Sequence, residues 1–445
     1  MSTPLPIDNT EFLTRQKRLL TQMQPYSICL VPASNLVTRS RDTEYPFRQD
    51  SYFQYLCGFP EPEAWLVLSN HQEYSNSLSV LFCLDKDPTM EIWHGRRFGP
   101  KQARQHYAVN IAFAVDELEE RLLDLIDGHK HLYFAQGHCP DADNVIFSLL
   151  DTLRSASRQG KQAPSSVMDV RGILDEMRLI KSAGEIDMMR QAAAVATQAH
   201  IRAMKFSEVD KNEYHLEAEI HHEFAMQGAK YPAYGTIVGA GDNACILHYT
   251  ENNQTLKDGD LILIDAGCEW QGYASDITRT FPVSGLFSTH QKQLYQLVLD
   301  AQLAAFKMIK PNNTIKQASD VAIAVITQGL IDLDILKGTL ANNIERQTYR
   351  EFYMHGLSHW LGLDVHDVGI YKFDGQERPL KPGMVLTIEP GIYISPDADV
   401  ENQWRGIGIR IEDNLYITQS GHENLTIAAP KTISDIESLM TKKSS

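Results

Sequence analysis

Hydrophobic and polar residues recur at strand and helix periods along this chain, most sharply between Leu261 and Phe281. The apolar run Leu261-Ile262-Leu263-Ile264 predicts a buried strand that ends in Asp265. A turn punctuated by Gly267 and Gly272 follows. The next segment alternates, so that Asp276, Thr278 and Thr280 share one face. Two adjacent strands of this kind deliver two carboxylates from a buried sheet to one point. Buried carboxylates are costly unless paired, hydrogen-bonded or bound to a cation. A turn-capping aspartate explains either residue alone but explains the pair poorly.

Residues 1–150 read as alternating helix and strand. The pattern predicts an amphipathic helix from Glu11 to Gln24 and strands at Ser27–Val31, Ala64–Leu68 and Leu78–Leu84. A helix around Val115–Ile126 and a strand near Leu132–Phe134 follow. The small polar stretch 155–166 places a domain boundary there or just after, near residue 175. Beyond it the helix starts are readable. Ser182 with Glu185 predicts a capping box and a long helix to about Phe206. Asn212 to Gln227 predicts a second helix, stopped by Gly228. Ser288 with Gln291, and Thr314 with Gln317, open a later pair that runs to about Lys310 and Leu333. Strand-rich regions at 235–281 and 352–417 bracket that pair, which suggests two α/β halves about one central sheet.

Composition narrows the function classes. The chain has 445 residues, 43% hydrophobic and 22% charged, as in an ordinary globular protein of two or three domains. Its net charge of −16, from 57 acidic and 41 basic residues, argues against a nucleic-acid or anionic-membrane surface and is compatible with cation binding. The six cysteines are scattered without a C-x-x-C pair, so reduced thiols and a cytoplasmic location are expected. The N-terminal residues lack the basic and apolar regions of a secretory signal, and no apolar run is long enough to span a bilayer.

Three further stretches carry chemistry. Residues 354–369 hold His355, His359 and His366 among glycines; the first two, four apart, are expected on one side of a helix or strand. Met384 to Gly391 reads as a buried strand ending in Glu389 and a Pro-Gly turn. Gly406 to Asp413 alternates, with Ile407, Ile409 and Ile411 facing one way and Arg410 and Glu412 the other. An Arg410–Glu412 salt bridge, or Glu389 beside an unseen lysine, is the plainer reading of each residue alone. Two other motifs are set aside. His221-His222-Glu223 is not a His-Glu-x-x-His zinc motif and reads as a helix face, and Gly239-Ala240-Gly241 lacks a phosphate loop's third glycine. Trp93, beside two arginines, reads on composition as a core residue.

Together Asp265, Asp276, His359, Glu389 and Glu412 put four carboxylates and one imidazole in one set. Two like charges 4 Å apart repel by about 4 kcal/mol at an effective dielectric of about 20. Two divalent cations remove that conflict. An oxygen-dominated shell with one nitrogen favours Mn²⁺, Mg²⁺, Co²⁺ or Fe²⁺ over a thiolate-type zinc site. Paired metals also hold a bridging water and generate hydroxide near neutral pH, so hydrolysis is the natural chemistry.

At these residues the chain closely resembles the bacterial aminopeptidase P family of pita-bread metallopeptidases. The matching stretches are His248 to Asn252, Ile264 to Gly267, Ser275 to Pro282, Met354 to Gly369, Thr387 to Gly391 and Arg405 to Asp413. Pro46 to Gln49 and Glu91-Ile92-Trp93 extend the match toward the N-terminus. The resemblance implies an α/β N-terminal domain over residues 1–175, for support or oligomerisation. It implies an α+β pita-bread catalytic domain over 176–445, with a curved central sheet and pseudo-two-fold halves. It assigns Asp265 to one metal, His359 with Glu389 to the other, and Asp276 and Glu412 as bridges, with Mn²⁺ the expected ion. Glu389 is expected to shuttle a proton, His366 and His248 to assist catalysis, and His355 and Arg410 to bind substrate. Trp93 resembles a tryptophan that reaches a neighbouring subunit's site, which inverts the core reading. The implied reaction is hydrolysis, by a metal-bridging hydroxide, of the bond between an N-terminal residue and a following proline. Expected partners are proline-containing peptides with a free N-terminus and further copies of the chain, in a homodimer or homotetramer. Xaa-Pro dipeptidase (prolidase) activity is the nearest alternative; a non-enzymatic pita-bread binding protein is a remote one, since such proteins lose metal ligands.

Overall fold

Apolar strands near the N-terminus assemble a six-stranded mixed sheet. In the computed structural model, which describes residues 7–73 and 78–441, its order is Ile111–Ala114, Leu78–Cys83, Trp65–Ser69, Ser27–Pro32, His131–Phe134 and Ser166–Asp169. The first six positions, read above as part of a terminus without a secretory signal, lie outside the described residues. The two pairings that flank Trp65–Ser69 are antiparallel and the others parallel. Ser27–Pro32, Trp65–Ser69 and Leu78–Cys83 are buried almost throughout, as strands covered on both faces are. Leu118, Leu122, Ile146 and Leu150, from the helices Leu118–Ile126 and Pro140–Ser155, pack in one cluster with Ile28, Val67 and Val80.

The chain divides into two compact units, Met1–Arg178 and Leu179–Ser445. The polar stretch 155–166 lies inside the first, where it closes one helix and leads into the strand Ser166–Asp169. Among the described residues no helix is long and apolar enough to cross a membrane.

The second unit repeats one order of elements: a helix pair, then strands. Helices Ala183–Phe206 and Glu213–Met226 precede an antiparallel sheet in the order Thr278–Pro282, Leu261–Asp265, Ile237–Ala240. Helices Thr289–Phe306 and Ile315–Asp332 precede the strands Val385–Ile388, Gly391–Ile394, Ile407–Arg410 and Asp413–Ile417. The capping boxes of Ser182, Ser288 and Thr314 form as the sequence predicts. The third of these four helices stops at Phe306, not near Lys310. Pro311 disfavours helical geometry in the residue before it, and Asn312 takes a left-handed φ of 72°.

The two sets of strands meet where the chemistry lies. Glu412 donates its N–H to the Thr278 carbonyl at 3.1 Å, and Arg410 its N–H to Thr280 Oγ1 at 3.2 Å. Asp276 donates its N–H to Asn414 Oδ1 at 3.0 Å. The segment expected to alternate from 406 to 413 as one strand changes partners midway. Ile407–Arg410 pairs with Gly391–Ile394, and Asp413–Ile417 pairs with Val385–Ile388. Glu412 sits at the corner between them, opposite the Glu389-Pro390 break in the facing chain. Residues 354–369 are neither helix nor regular strand, contrary to expectation. They run beside Val385–Ile388: Thr387 donates its N–H to the His359 carbonyl at 3.0 Å, His359 its N–H to Thr387 Oγ1 at 3.1 Å, and Leu361 its N–H to the Val385 carbonyl at 3.1 Å.

Gly267 makes the tightest approach in this unit. A Cβ there would lie 1.7 Å from the carbonyl oxygen of Ser275, so the turn between the two aspartate-bearing segments closes only without a side chain. Gly267→Ala is expected to cost about 3 kcal/mol in urea unfolding. Gly356→Ala, where an added Cβ meets nothing within 4 Å, should stay within about 0.5 kcal/mol. Equal costs for both would show that the turn does not constrain the fold.

Candidate metal centre

Every candidate residue of the second unit lines one cavity of about 520 Å³: Asp265, Asp276, His359, Glu389 and Glu412, with His248, His355, His366 and Arg410. The backbone explains the convergence. Asp265 ends its strand and Asp276 lies two residues before the neighbouring one. Glu389 follows Val385–Ile388, and Glu412 occupies the corner described above. Strand ends are where buried chains turn, so side chains there point into the space between elements.

The contacts are short and specific. His359 Nε2 lies 3.4 Å from Asp276 Oδ2 and 3.5 Å from Glu389 Oε1, while its Nδ1 faces the Trp360 carbonyl at 2.9 Å. Ligand atoms of Asp276, His359 and Glu412 all fall within 4.8 Å of one another. Thr278 donates its hydroxyl to Glu412 Oε2 at 2.7 Å, but Glu412 Oε1 is buried with no partner. Arg410 reaches Asp265 Oδ2 at 2.7 Å, Thr278 Oγ1 at 3.1 Å and the Tyr393 hydroxyl at 2.9 Å. The Arg410–Glu412 bridge considered from sequence therefore does not form; the guanidinium turns toward Asp265. Among the described residues no lysine pairs with Glu389, whose neighbours are His355 and His359.

Burial and mutual repulsion shape the electrostatics. Burial alone would raise Asp265, but Arg410 and Tyr234 outweigh it and hold this carboxyl below its usual range. Burial, with Asp265 nearby, raises Asp276. Burial also raises Glu389 to about 7, against the pull of His359, and lifts Glu412 well above its ordinary value beside Asp276 and Glu389. Burial lowers His355 to about 4, with Arg410 adding to it. His359 goes the other way, to about 9, because Asp276 and Glu389 overcome its burial. Among the cavity's lining residues Arg410 is the one permanent cation facing four carboxylates. The donor set, and the orphaned oxygen of Glu412, fit oxygen-preferring divalent cations.

Some functional side chains had no sequence signal of their own. The Tyr234 hydroxyl lies 2.6 Å from Asp265 Oδ1 and 2.5 Å from Asp276 Oδ1, joining the two aspartates. Tyr393 links Arg410 to His355, whose Nε2 it meets at 2.8 Å. Strand and loop tyrosines usually read as packing; only tertiary structure gives their hydroxyls a partner. Glu213, fully buried, accepts from Ala240 N–H at 2.7 Å, the Tyr249 hydroxyl at 2.8 Å and Gln254 N–H at 2.9 Å. It thus pins both ends of the loop that carries His248.

One further reading is overturned and one holds. Trp93 is 79% exposed on the short helix Pro88–His94, beside Ile92 at 81%, so it is not a core residue. His221 bonds Thr236 Oγ1 at 2.8 Å and does not line the cavity, as expected of a partly buried helix face.

The model of metallopeptidase family M24 matches residues 187–419, and that of the aminopeptidase P N-terminal domain matches residues 12–133. The chain belongs to the M24 metallopeptidases. It is 50% identical to the Xaa-Pro aminopeptidase of Escherichia coli K12 over 434 residues, 98% of each chain. The Xaa-Pro aminopeptidase of Haemophilus influenzae is 50% identical over 430 residues, 97% of each. Among solved structures, Pseudomonas aeruginosa aminopeptidase PepP superposes with a TM-score of 0.97 at 48% identity, covering 99% of both chains. A zinc-substituted E. coli aminopeptidase P in complex with product gives 0.96 at 49% identity, with the same coverage. The expected architecture, an α/β N-terminal domain followed by a pita-bread domain, is the one found.

With Glu389 raised to about 7 and His359 to about 9, divalent ions binding at neutral pH must displace protons from these two ligands. Calorimetric Mn²⁺ titrations at pH 6.5, in buffers of differing ionisation enthalpy, should show net proton release. Affinity should fall about tenfold per pH unit below 9, where His359 gains its proton, and more steeply below 7, where Glu389 does. Buffer-independent heats would contradict this reading.

Proposed function

We propose that this M24 enzyme is an Xaa-Pro aminopeptidase, hydrolysing the bond between an N-terminal residue and a following proline. The observation that carries the reading is the convergence of Asp265, Asp276, His359, Glu389 and Glu412 on one cavity, in a chain matched over its full length by Xaa-Pro aminopeptidases. Asp265, Asp276, His359, Glu389 and Glu412 would hold two divalent ions per subunit, which we assign as Mn²⁺, with Asp265 serving one and His359 and Glu389 the other. What such ions supply when bound is a water acidic enough to act as a nucleophile near neutral pH.

The chain's own residues perform the remaining work. Glu389 takes the nucleophile's proton and hands it to the departing proline nitrogen. His366, edge-on to His359 with ring centroids 4.4 Å apart, and His248 face the carbonyl before proline and stabilise the developing oxyanion. A bond to proline has no N–H, so substrate recognition must grip the ring. His355, held by Tyr393 and Arg410, offers a fixed wall for that flat ring. The acidic cavity favours the substrate's free α-amino group. Trp93, exposed on its helix, is assigned to a neighbouring subunit's site in a cytoplasmic homodimer or homotetramer.

Metal-stripped protein should regain cleavage of Xaa-Pro-Yaa tripeptides when Mn²⁺ is restored, releasing only the first residue. Cleavage confined to Xaa-Pro dipeptides would make the chain a prolidase; no cleavage by folded, metal-loaded protein would refute the assignment. Glu389→Gln should lower kcat about 10²- to 10⁴-fold while the fold persists, and near-normal turnover would exclude the proton shuttle. Trp93→Ala should change kcat/KM for short and long peptides unequally. An unchanged length profile would remove Trp93 from any substrate site.

A further inference from the structure

The segment that opens the second unit, Leu179-Ile180-Lys181, lies against three glycines. A Cβ at Gly369 would meet Leu179 Cδ1 at 2.9 Å, and one at Gly383 would meet Ile180 Cγ2 at 2.6 Å. One at Gly362 would meet Asp367 Oδ2 at 2.2 Å and Lys181 Cε at 2.9 Å. Three side-chain-free positions therefore admit one short segment, and Lys181 also donates its N–H to the Gly383 carbonyl at 2.8 Å. The Lys181 ammonium lies 2.8 Å from Asp367 Oδ2, with each side chain only 1% exposed.

A buried ion pair is weak evidence for stability, because desolvating both charges offsets most of their attraction. Its place in the chain suggests another use. Asp367 directly follows His366. Its N–H donates to the Trp360 carbonyl at 3.0 Å, which closes the irregular loop from 360 to 367. The same carbonyl faces His359 Nδ1 at 2.9 Å. With Nδ1 held there, Nε2 is the nitrogen turned toward Asp276 and Glu389. Trp360 is itself fixed, its ring stacked on Tyr371 with centroids 5.2 Å apart and its backbone N–H donating to the Tyr371 hydroxyl at 3.0 Å. One carbonyl thus serves both the imidazole and the residue that anchors the loop.

We propose that Lys181 and Asp367 are positioning residues: their buried pair locks the 360–367 loop so that His359 presents Nε2 to the metal centre and His366 stands against it. The proposal rests on the roles assigned above to His359 and His366. It goes beyond them in tying both to a lysine at the start of the unit that touches neither.

The test is the uncharged double variant Lys181→Met/Asp367→Asn, which removes both charges at nearly constant volume and so avoids stranding one. A pair that serves only the fold would leave this variant, if folded, with native metal affinity and kcat. A positioning pair predicts a native-like unfolding midpoint with Mn²⁺ affinity, measured by chelator competition, reduced about tenfold or more. It further predicts kcat lowered by a similar factor with KM changed less than about threefold. Native Mn²⁺ affinity and kcat in the folded double variant would overturn the proposal. Should the double variant not fold, Asp367→Asn alone serves; it should show the same loss of Mn²⁺ affinity, and native affinity there would also overturn it. The metal-affinity arm needs no substrate. Failure of native protein to cleave Xaa-Pro peptides would therefore count against the proposed function and not against this pair.

Discussion

Four carboxylates crowded into one buried cavity are the constraint on which the second unit depends. Arg410 neutralises one of them, Asp265, at 2.7 Å, and His359 faces two others at 3.4 and 3.5 Å. What is left is an excess of negative charge under low dielectric, where each uncompensated pair costs several kcal/mol, about 4 at close range. Burial and mutual repulsion push the carboxyls of Asp276, Glu389 and Glu412 upward, toward their protonated forms. Divalent cations would answer it more completely, and they would also give a partner to Glu412 Oε1, a buried carboxylate oxygen in the cavity that has none.

Such a cluster survives folding only because the surrounding backbone is over-determined. Arg279, fully buried, holds the carbonyls of Thr278 and Glu412, and its partner Asp413 also receives Lys431 and Gln302. The residues just behind the centre are thus stitched by charge-assisted hydrogen bonds that involve none of the candidate ligands' side chains. Gly267 lets the Asp265 and Asp276 segments touch, and the corner at Ile411 and Glu412 moves the chain from one strand pairing to another. Repulsion at the cavity is opposed by rigidity around it.

What the sequence makes legible follows the range of the forces involved. Helix starts at Ser182, Ser288 and Thr314 are local hydrogen-bond chemistry spanning three residues, and they appear where the pattern puts them. Asp265 is legible because an apolar strand delivers it. The partner of Arg410 is not: Asp265 is 145 residues away, and the nearer Glu412 is the more obvious choice along the chain. Tyr234 and Tyr393 are silent for the same reason, since a tyrosine's burial shows in sequence but its hydroxyl partner does not. The stretch with His355 and His359 misleads differently. Its four-residue spacing mimics a regular face, whereas glycines and cross-chain hydrogen bonds hold it as an irregular ribbon.

The most direct test of this account is anomalous diffraction at the manganese edge from crystals grown with Mn²⁺. It predicts two peaks in the cavity, one in bonding contact with Asp265 and the other with His359 and Glu389, with Asp276 and Glu412 reaching both. A single peak, or density away from these carboxylates, would contradict the claim that paired cations resolve the charge this fold concentrates.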